Sequence, residues 1–508
     1  MLYALGTGCQ SCSQSIPNRK LPRPVLPDYP ELVSLYWEAW DLLGKQQGHG
    51  NRRNALPRSY FRSSEEGVLH QWQTVSMTLF AKYAWHCLPV AQSLDMFYQR
   101  QDRDGYIARI LLEQSGEEAH SKSLQRPVIH PPLLSWAEWE YYQCSGDTDR
   151  LLAVFLLLDK YFHWVDANYR GEGRAAHLYC STPIGTGMDN LPREAFKEGA
   201  WVDVSAQMAA FARDLSRMAE VLGDLQLRSY YDRKFREISY SCNHTLWNPD
   251  SAFYYDMSKE GKYDLCCTIA GYWPLFAEII PERRVKRFTA HLRDSTKFYR
   301  LHLFPSVAAD EQSYHPSGFY WRGGVWSLMD YCIVQGLHHY GQDEFAREVA
   351  WNHVRSMADV YLGFQADSSL LPAAAENAIW EMYAPDLPTP GTRWDLRSYC
   401  QANHIVFSGH GPIVLLIEEV LAFEVDAPGD RLIWRPWLMG KHGIENLRFG
   451  DNQVTIWCEP RPEDPLPLTI HGSTKTALAL DIIVDDEVFS FQFEAGDIDL
   501  TLLPGEID

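Results

Sequence analysis

The spacing of apolar residues changes once along this chain of 508 residues, and that change limits the fold more than any single motif. Val204, Met208, Phe211, Leu215, Met218 and Leu222 recur at the helical period, and Gly223 follows as a C-terminal cap. Leu151, Phe155, Leu158 and Phe162 repeat the pattern, as do Trp326, Met329, Ile333 and Leu337, which end near Gly341. About a dozen such segments fill the chain up to residue 424, separated by long loops rich in aromatic, glycine and proline residues. Past residue 425 the period becomes two. Val454, Ile456 and Cys458 share one face, and Phe489, Phe491 and Phe493 alternate with Ser490 and Gln492. "FGDN" at 449–452 and the acidic pair Asp485–Asp486 mark turns. The expectation is a mainly α protein. Its helical hairpins close into a toroid with the long loops gathered at one mouth, and a small antiparallel β domain follows. Residues 1–27, rich in Pro, Ser, Cys and Arg, read as a tail. Residues 28–424 read as the helical domain and 425–508 as a β-sandwich-like domain packed on it without a linker.

Charge narrows the partners. The chain carries 46 Lys plus Arg against 66 Asp plus Glu, a net −20, which argues against nucleic acid and against an acidic membrane surface. No apolar run is long enough to span a bilayer. The 11 cysteines are scattered, and Cys9 and Cys12 form a lone CxxC with no second pair. The N-terminus lacks the basic and apolar regions of a signal peptide, so a reducing, cytoplasmic setting is expected. Self-association into a homo-oligomer is left open. No HExxH or comparable ligand spacing and no nucleotide-binding or nucleophile-elbow motif stands in a convincing context, so neither metal nor cofactor is expected.

Four loop clusters are dense enough to carry chemistry: "LHQWQTVSMTLF" with His70, Trp72 and Gln73; "YCSTPIGTGMDNLPREAF" around Asp189; "PSGFYWRGGVW" at 316–326; and "AENAIWEMYAPDLPTPG" at 375–391 with Glu376, Glu381 and Asp386. Glycoside hydrolysis needs two carboxyl groups flanking the scissile bond. Asp189 and Glu381 suit those posts, each in a loop crowded with aromatics and amides, where neighbours such as Met188 and Trp380 raise a carboxyl pKa. The structural alternative pairs Asp189 with Arg193 and makes Glu381 the cap of a turn. Arg322 grips sugar hydroxyls or a carboxylate on one reading and stacks on Trp321 on the other. Gly323 and Gly324 allow a close approach of a ligand or a tight packing corner.

"GMDNLPR", followed by "WVDVSAQMAAFARDLSRMAEVLG", resembles the "GxDNSPR" loop and next helix of glycoside hydrolase family 63 and, more distantly, the trehalases. "YWRGGVW", "WEMYAPDLPTPG" and "LHQWQTVSM" resemble three further segments of that family, so the resemblance runs from about residue 68 to 422. It implies an (α/α)6 barrel and an inverting glycosidase acting on a short α-linked glucoside or mannoside. Asp189 would be the general acid and Glu381 the general base, with Glu376 the rival base. Trp72, Gln73, Asn190, Arg193, Tyr320, Trp321, Arg322, Trp326, Tyr383 and His410 would line the site. The chain departs from the family pattern at Gln73, where an acid is usual, at Leu191, where Ser is common, and in "FSGHGP" at 407–412. Two other functions fit the same toroid: a polysaccharide lyase using Tyr or His as base, and a non-catalytic carbohydrate binder, which Gln73 would suit.

Overall fold

The computed structural model describes residues 17–63, 67–119, 128–193, 199–365, 377–461, 467–485 and 487–503. The helical period becomes helix where expected: Thr148–Tyr169, Val202–Val221 and Ser327–His339. Gly223 and Gly341, just past two of these ends, take positive φ.

The helices fall into two kinds by burial. Gln71–Ala81, Val202–Val221, Ser327–His339 and Gly411–Val420 are buried almost all round. A helix buried on every side must sit inside other elements. Leu225–Ser241 buries little beyond Tyr231 and Ile238, and it packs along Val202–Val221 as an outer partner. Asp343–Gly363 covers Ser327–His339 in the same way, and Pro30–Lys45 covers Gly411–Val420. The inner layer holds a polar plug as well as apolar side chains: Lys82 Nζ lies 2.5 Å from Glu140 and 2.7 Å from Glu418. Between residues 30 and 420, the paired strands among the described residues are short antiparallel pairs such as Val68–His70 with Ile110–Leu112, and the one parallel contact is the isolated bridge of Gly171 with Ala176. No helix among the described residues is long and apolar enough to cross a membrane.

Two sheets follow. One has five antiparallel strands in the order Arg23–Val25, His442–Phe449, Asn452–Cys458, Leu468–Thr474 and Gly496–Leu502. Gly450, at positive φ in the expected turn, joins the second strand to the third. The other sheet has four strands, and here the expected all-antiparallel arrangement is corrected, because Leu478–Val484 runs parallel to Arg431–Trp434. A chain that leaves one sheet, completes strands in the other and returns can re-enter in either direction, and alternation alone does not record which. The segment read as a tail also supplies a strand: Arg23–Val25 pairs with residues 443–445. Its three residues are too few to display a period.

Candidate active site

The acid-bearing loop begins with a short turn of helix, Pro183–Thr186, capped by the Thr182 hydroxyl accepting from Gly185 N. Gly187 follows at φ 72°, and a Cβ there would lie 2.9 Å from Trp72 Nε1. Only glycine meets both conditions cheaply, so the loop lies flat against the first turn of the helix Gln71–Ala81. Asp189 comes two residues later. Asn190 then ties the loop to its neighbour: its Nδ2 donates to Phe319 O at 2.9 Å, and its Oδ1 accepts from Trp321 N at 2.7 Å. The amide expected to touch sugar is therefore spent on backbone. It holds in place Phe319 and Tyr320, two consecutive non-glycine residues at φ 43° and 61°. Such conformations cost about 1–3 kcal/mol each and persist only where the surroundings over-determine them. Tyr320 N also donates to Thr392 O at 2.8 Å, giving the strained pair a second anchor.

Tyr320 links this loop to the second carboxyl. Its hydroxyl donates to Glu381 Oε1 at 2.9 Å, while Gln401 N donates to Glu381 Oε2 at 3.3 Å. Glu381 is buried, fixed by these two donors and by its own N–H on Gln401 O. Burial first, then the charges of Glu381 and Asp189, push the Tyr320 hydroxyl well above its ordinary value, so it remains a neutral donor. Asp189 is solvent-exposed, yet its neighbours remove part of its water. Desolvation raises its pKa, the Glu381 charge adds to that rise, and Arg109 opposes both. Among the described residues no hydrogen bond or ion pair occupies the Asp189 carboxyl. One carboxyl is thus biased toward its protonated form and the other is held as an acceptor by two donors, an asymmetry that acid–base chemistry can use.

The remaining expected residues divide. Trp72 packs on Trp273 and Phe407 beside Gly187. Trp321 and Trp326 stack with ring centroids 4.1 Å apart, backing Tyr320. Arg322 gives its Nε to Asn190 O and lies over Phe319 rather than Trp321. Gln73 is half-buried, with its side-chain oxygen unpartnered within the protein. Three others lie in the packing. Arg193 does not pair with Asp189; it is buried against Asp203 at 3.1 Å and Asp256 at 3.3 Å and lies over the Trp201 ring. Tyr383 is in the core, its hydroxyl accepting from Trp380 N. His410 is enclosed by Phe80 and Tyr331. Glu376, Cys9 and Cys12 lie outside the described residues.

Sequence reasoning missed Arg109, Gln401 and Trp394. "GYIARI" and "SYCQAN" carry no motif, and only the fold brings them beside the acids. Trp394 stood in a turn-rich stretch just after Glu381 and was the one visible signal. Arg109 also donates to Ile184 O in the acid loop at 3.3 Å. Its positive charge favours the Asp189 carboxylate, so Arg109→Gln should raise the Asp189 pKa further. The alkaline limb of the kcat/KM–pH profile is then expected to move up by as much as about one pH unit. An unmoved or lowered limb would show that Asp189 does not set it.

The fold also assembles His302, Asp330 and His353, all fully buried, a grouping invisible in their spacing. His353 Nδ1 lies 2.6 Å from Asp330 Oδ2 and 3.1 Å from His302 Nε2. Tetrahedral zinc with bonds near 2.0–2.1 Å keeps its ligand atoms roughly 3.3 Å apart. These separations suit a hydrogen-bonded cluster instead. Of the larger recesses, one of about 560 Å³ is lined by Tyr60, Arg62 and Glu113 and by neither candidate acid. Three of its polar groups already pair, since both Tyr60 and Arg62 donate to Glu113 at 2.7 Å.

Two carboxyl groups on adjoining loops of a helical body are what a glycoside hydrolase needs, and comparison with known proteins gives that class. Residues 68–387 match the model of the mannosylglycerate hydrolase MGH1-like glycoside hydrolase domain, and the chain belongs to that family. An uncharacterized protein of Borreliella burgdorferi is 25% identical over 416 residues, covering 80% of this chain and 82% of its own. The mannosyl-oligosaccharide glucosidase of Saccharomyces cerevisiae is 22% identical over 296 residues, covering 56% of this chain and 32% of its own length. In fold, the chain is similar to the GH63 mannosylglycerate hydrolase of Thermus thermophilus, solved with glucose. The two share 18% identity with a TM-score of 0.58 over 75% of this chain and 99% of that one.

Proposed function

We propose that this protein is an inverting glycosidase that hydrolyses a short α-linked glucoside or mannoside. Its helical hairpins form an (α/α)6 toroid with the site at the mouth. Asp189 is the general acid and gives its proton to the glycosidic oxygen as the bond from that oxygen to the anomeric carbon breaks. Glu381 is the general base and takes a proton from the water whose oxygen bonds to the anomeric carbon from the opposite face. The observation that carries this reading is the clamp between the two loops: Asn190, next to Asp189, holds Phe319 and Trp321 on either side of Tyr320, whose hydroxyl donates to Glu381 Oε1 at 2.9 Å. An inverting geometry would set the carboxyls roughly 6.5–9.5 Å apart, leaving room for that water. Support for glucose or mannose comes from the names of the relatives, and the α-linkage is what the resemblance to glycoside hydrolase family 63 implies. A lyase base must shed a proton near neutrality. Tyr320 is pushed away from that role, and its hydroxyl is already given to Glu381.

Proton NMR of the first-formed sugar tests the mechanism. An α-linked substrate should release the β-anomer before mutarotation. Initial α-anomer would mean a retaining enzyme and a different role for Glu381, and retained sugar binding with no release would favour a non-catalytic binder.

A further inference from the structure

Trp394 is 49% exposed, although a free indole on a protein surface gains nothing by itself. The turn that carries it is built rigidly. Arg393 N donates to Ser398 O at 3.0 Å and Leu396 N to Arg393 O at 3.0 Å. The Asp395 carboxylate accepts from Arg397 N at 3.0 Å and Ser398 N at 3.3 Å. Thr392 and Tyr399 close the base of the turn as a β-bridge. The whole turn is fastened to the active-site loop: Ser317 Oγ meets Thr392 Oγ1 at 2.7 Å, and Thr392 Oγ1 accepts from Phe319 N at 3.2 Å. The indole lies 5.3 Å from the Tyr320 ring at an interplanar angle of 43°. Tyr320 is the residue whose hydroxyl holds Glu381.

From this geometry we infer that Trp394 is a sugar-stacking platform at the rim of the site, binding a second pyranose or an aryl aglycone beyond the sugar that is cleaved. The inference rests on the glycosidase reading above and extends it to substrate class: disaccharides and larger glycosides with a ring next to the scissile bond. Three features point there. The indole is tilted against the Tyr320 ring while Trp394 stays 49% exposed. A pyranose presents a flat array of C–H bonds that an aromatic face attracts. Because the turn is already ordered by its own hydrogen bonds, stacking costs little conformational entropy, which is how a pre-organised surface gains affinity. Trp394 touches neither Glu381 nor Asp189 through any hydrogen bond, so its role is specificity rather than proton transfer.

The test compares two substrates in two variants, with the fold checked by circular dichroism. Trp394→Ala should lower kcat/KM for an α-linked disaccharide or a p-nitrophenyl α-glycoside by roughly 10- to 100-fold. It should leave the corresponding α-glycosyl fluoride, which has no second ring, within about twofold. Trp394→Phe should recover most of the loss. Equal losses on fluoride and disaccharide, or no loss on either, would overturn the inference. If the unaltered enzyme cleaves no glycoside at all, the glycosidase reading fails first. Quenching of tryptophan fluorescence by disaccharide then decides the platform alone: it should be present in the unaltered protein and lost in Trp394→Ala, and quenching that survives the substitution would reject the platform.

Discussion

Glu381→Gln should slow hydrolysis of every substrate by about 10²–10⁴-fold, the usual share of a general base. The amide keeps an oxygen for the Tyr320 hydroxyl at 2.9 Å but gives up the longer acceptance from Gln401 N at 3.3 Å, so the main anchor stays while the ability to take a proton from water is lost. Asp189→Asn should behave differently. Its loss should fall on substrates with poor leaving groups, because an α-glycosyl fluoride departs without a proton and should be largely spared. Steady-state kinetics on the fluoride and on an unactivated disaccharide separate the two acids. An inactive Asp189→Asn enzyme on fluoride, or a Glu381→Gln enzyme within tenfold of the original on all substrates, would show the roles to be misassigned. Glu376 would then become the base to test.

The largest effect on stability is expected at Arg193. It is buried with Asp203 and Asp256, and burial pushes Asp256 up to about 6 even with the guanidinium beside it. Arg193→Leu leaves two buried carboxyl groups without their cation and should destabilise the fold by about 3–5 kcal/mol, read as a lowered urea midpoint. Adding Asp203→Asn and Asp256→Asn should return part of that loss, since the penalty lies in the uncompensated charge rather than in the missing pair. A loss below about 1 kcal/mol for the single substitution would mean that water or another cation already solvates these acids. Activity should fall together with stability, because Arg193 closes the loop that begins at Gly187 and carries Asp189.

The sequence made legible whatever a local pattern can report. Burial of one face shows as a period of 3.6 or two, so the helix Val202–Val221 and the strand Asn452–Cys458 were visible. The loops with Asp189 and Glu381 stood out because acids, amides and aromatics crowd within a few residues. Pairing over long distances leaves no such trace. The parallel contact of Leu478–Val484 with Arg431–Trp434, the strand Arg23–Val25 and the His302–Asp330–His353 cluster each depend on partners far along the chain. Side-chain fate was equally hidden. Arg193, Tyr383 and His410 sit in or beside motifs that suggest ligand contact, yet Arg193 and Tyr383 have their polar groups turned to protein partners and His410 is packed in the core with Nδ1 on Phe407 O. Arg109 is the converse case: an ordinary-looking residue that the fold sets beside the acid.

The strand Arg23–Val25 has a kinetic meaning. Its ladder joins Arg23 to Glu445, 422 positions along the chain, and the two side chains also form an ion pair. Closing a loop of that length in an unfolded chain costs roughly 2–3 kcal/mol more than closing one of 20 residues. The pairing therefore cannot nucleate folding. It must wait until the intervening helices have compacted and brought the two segments near each other. During synthesis residues 23–25 emerge before the helical body and remain unpaired until residues 442–449 leave the ribosome, so the ladder can close only after that body has been made.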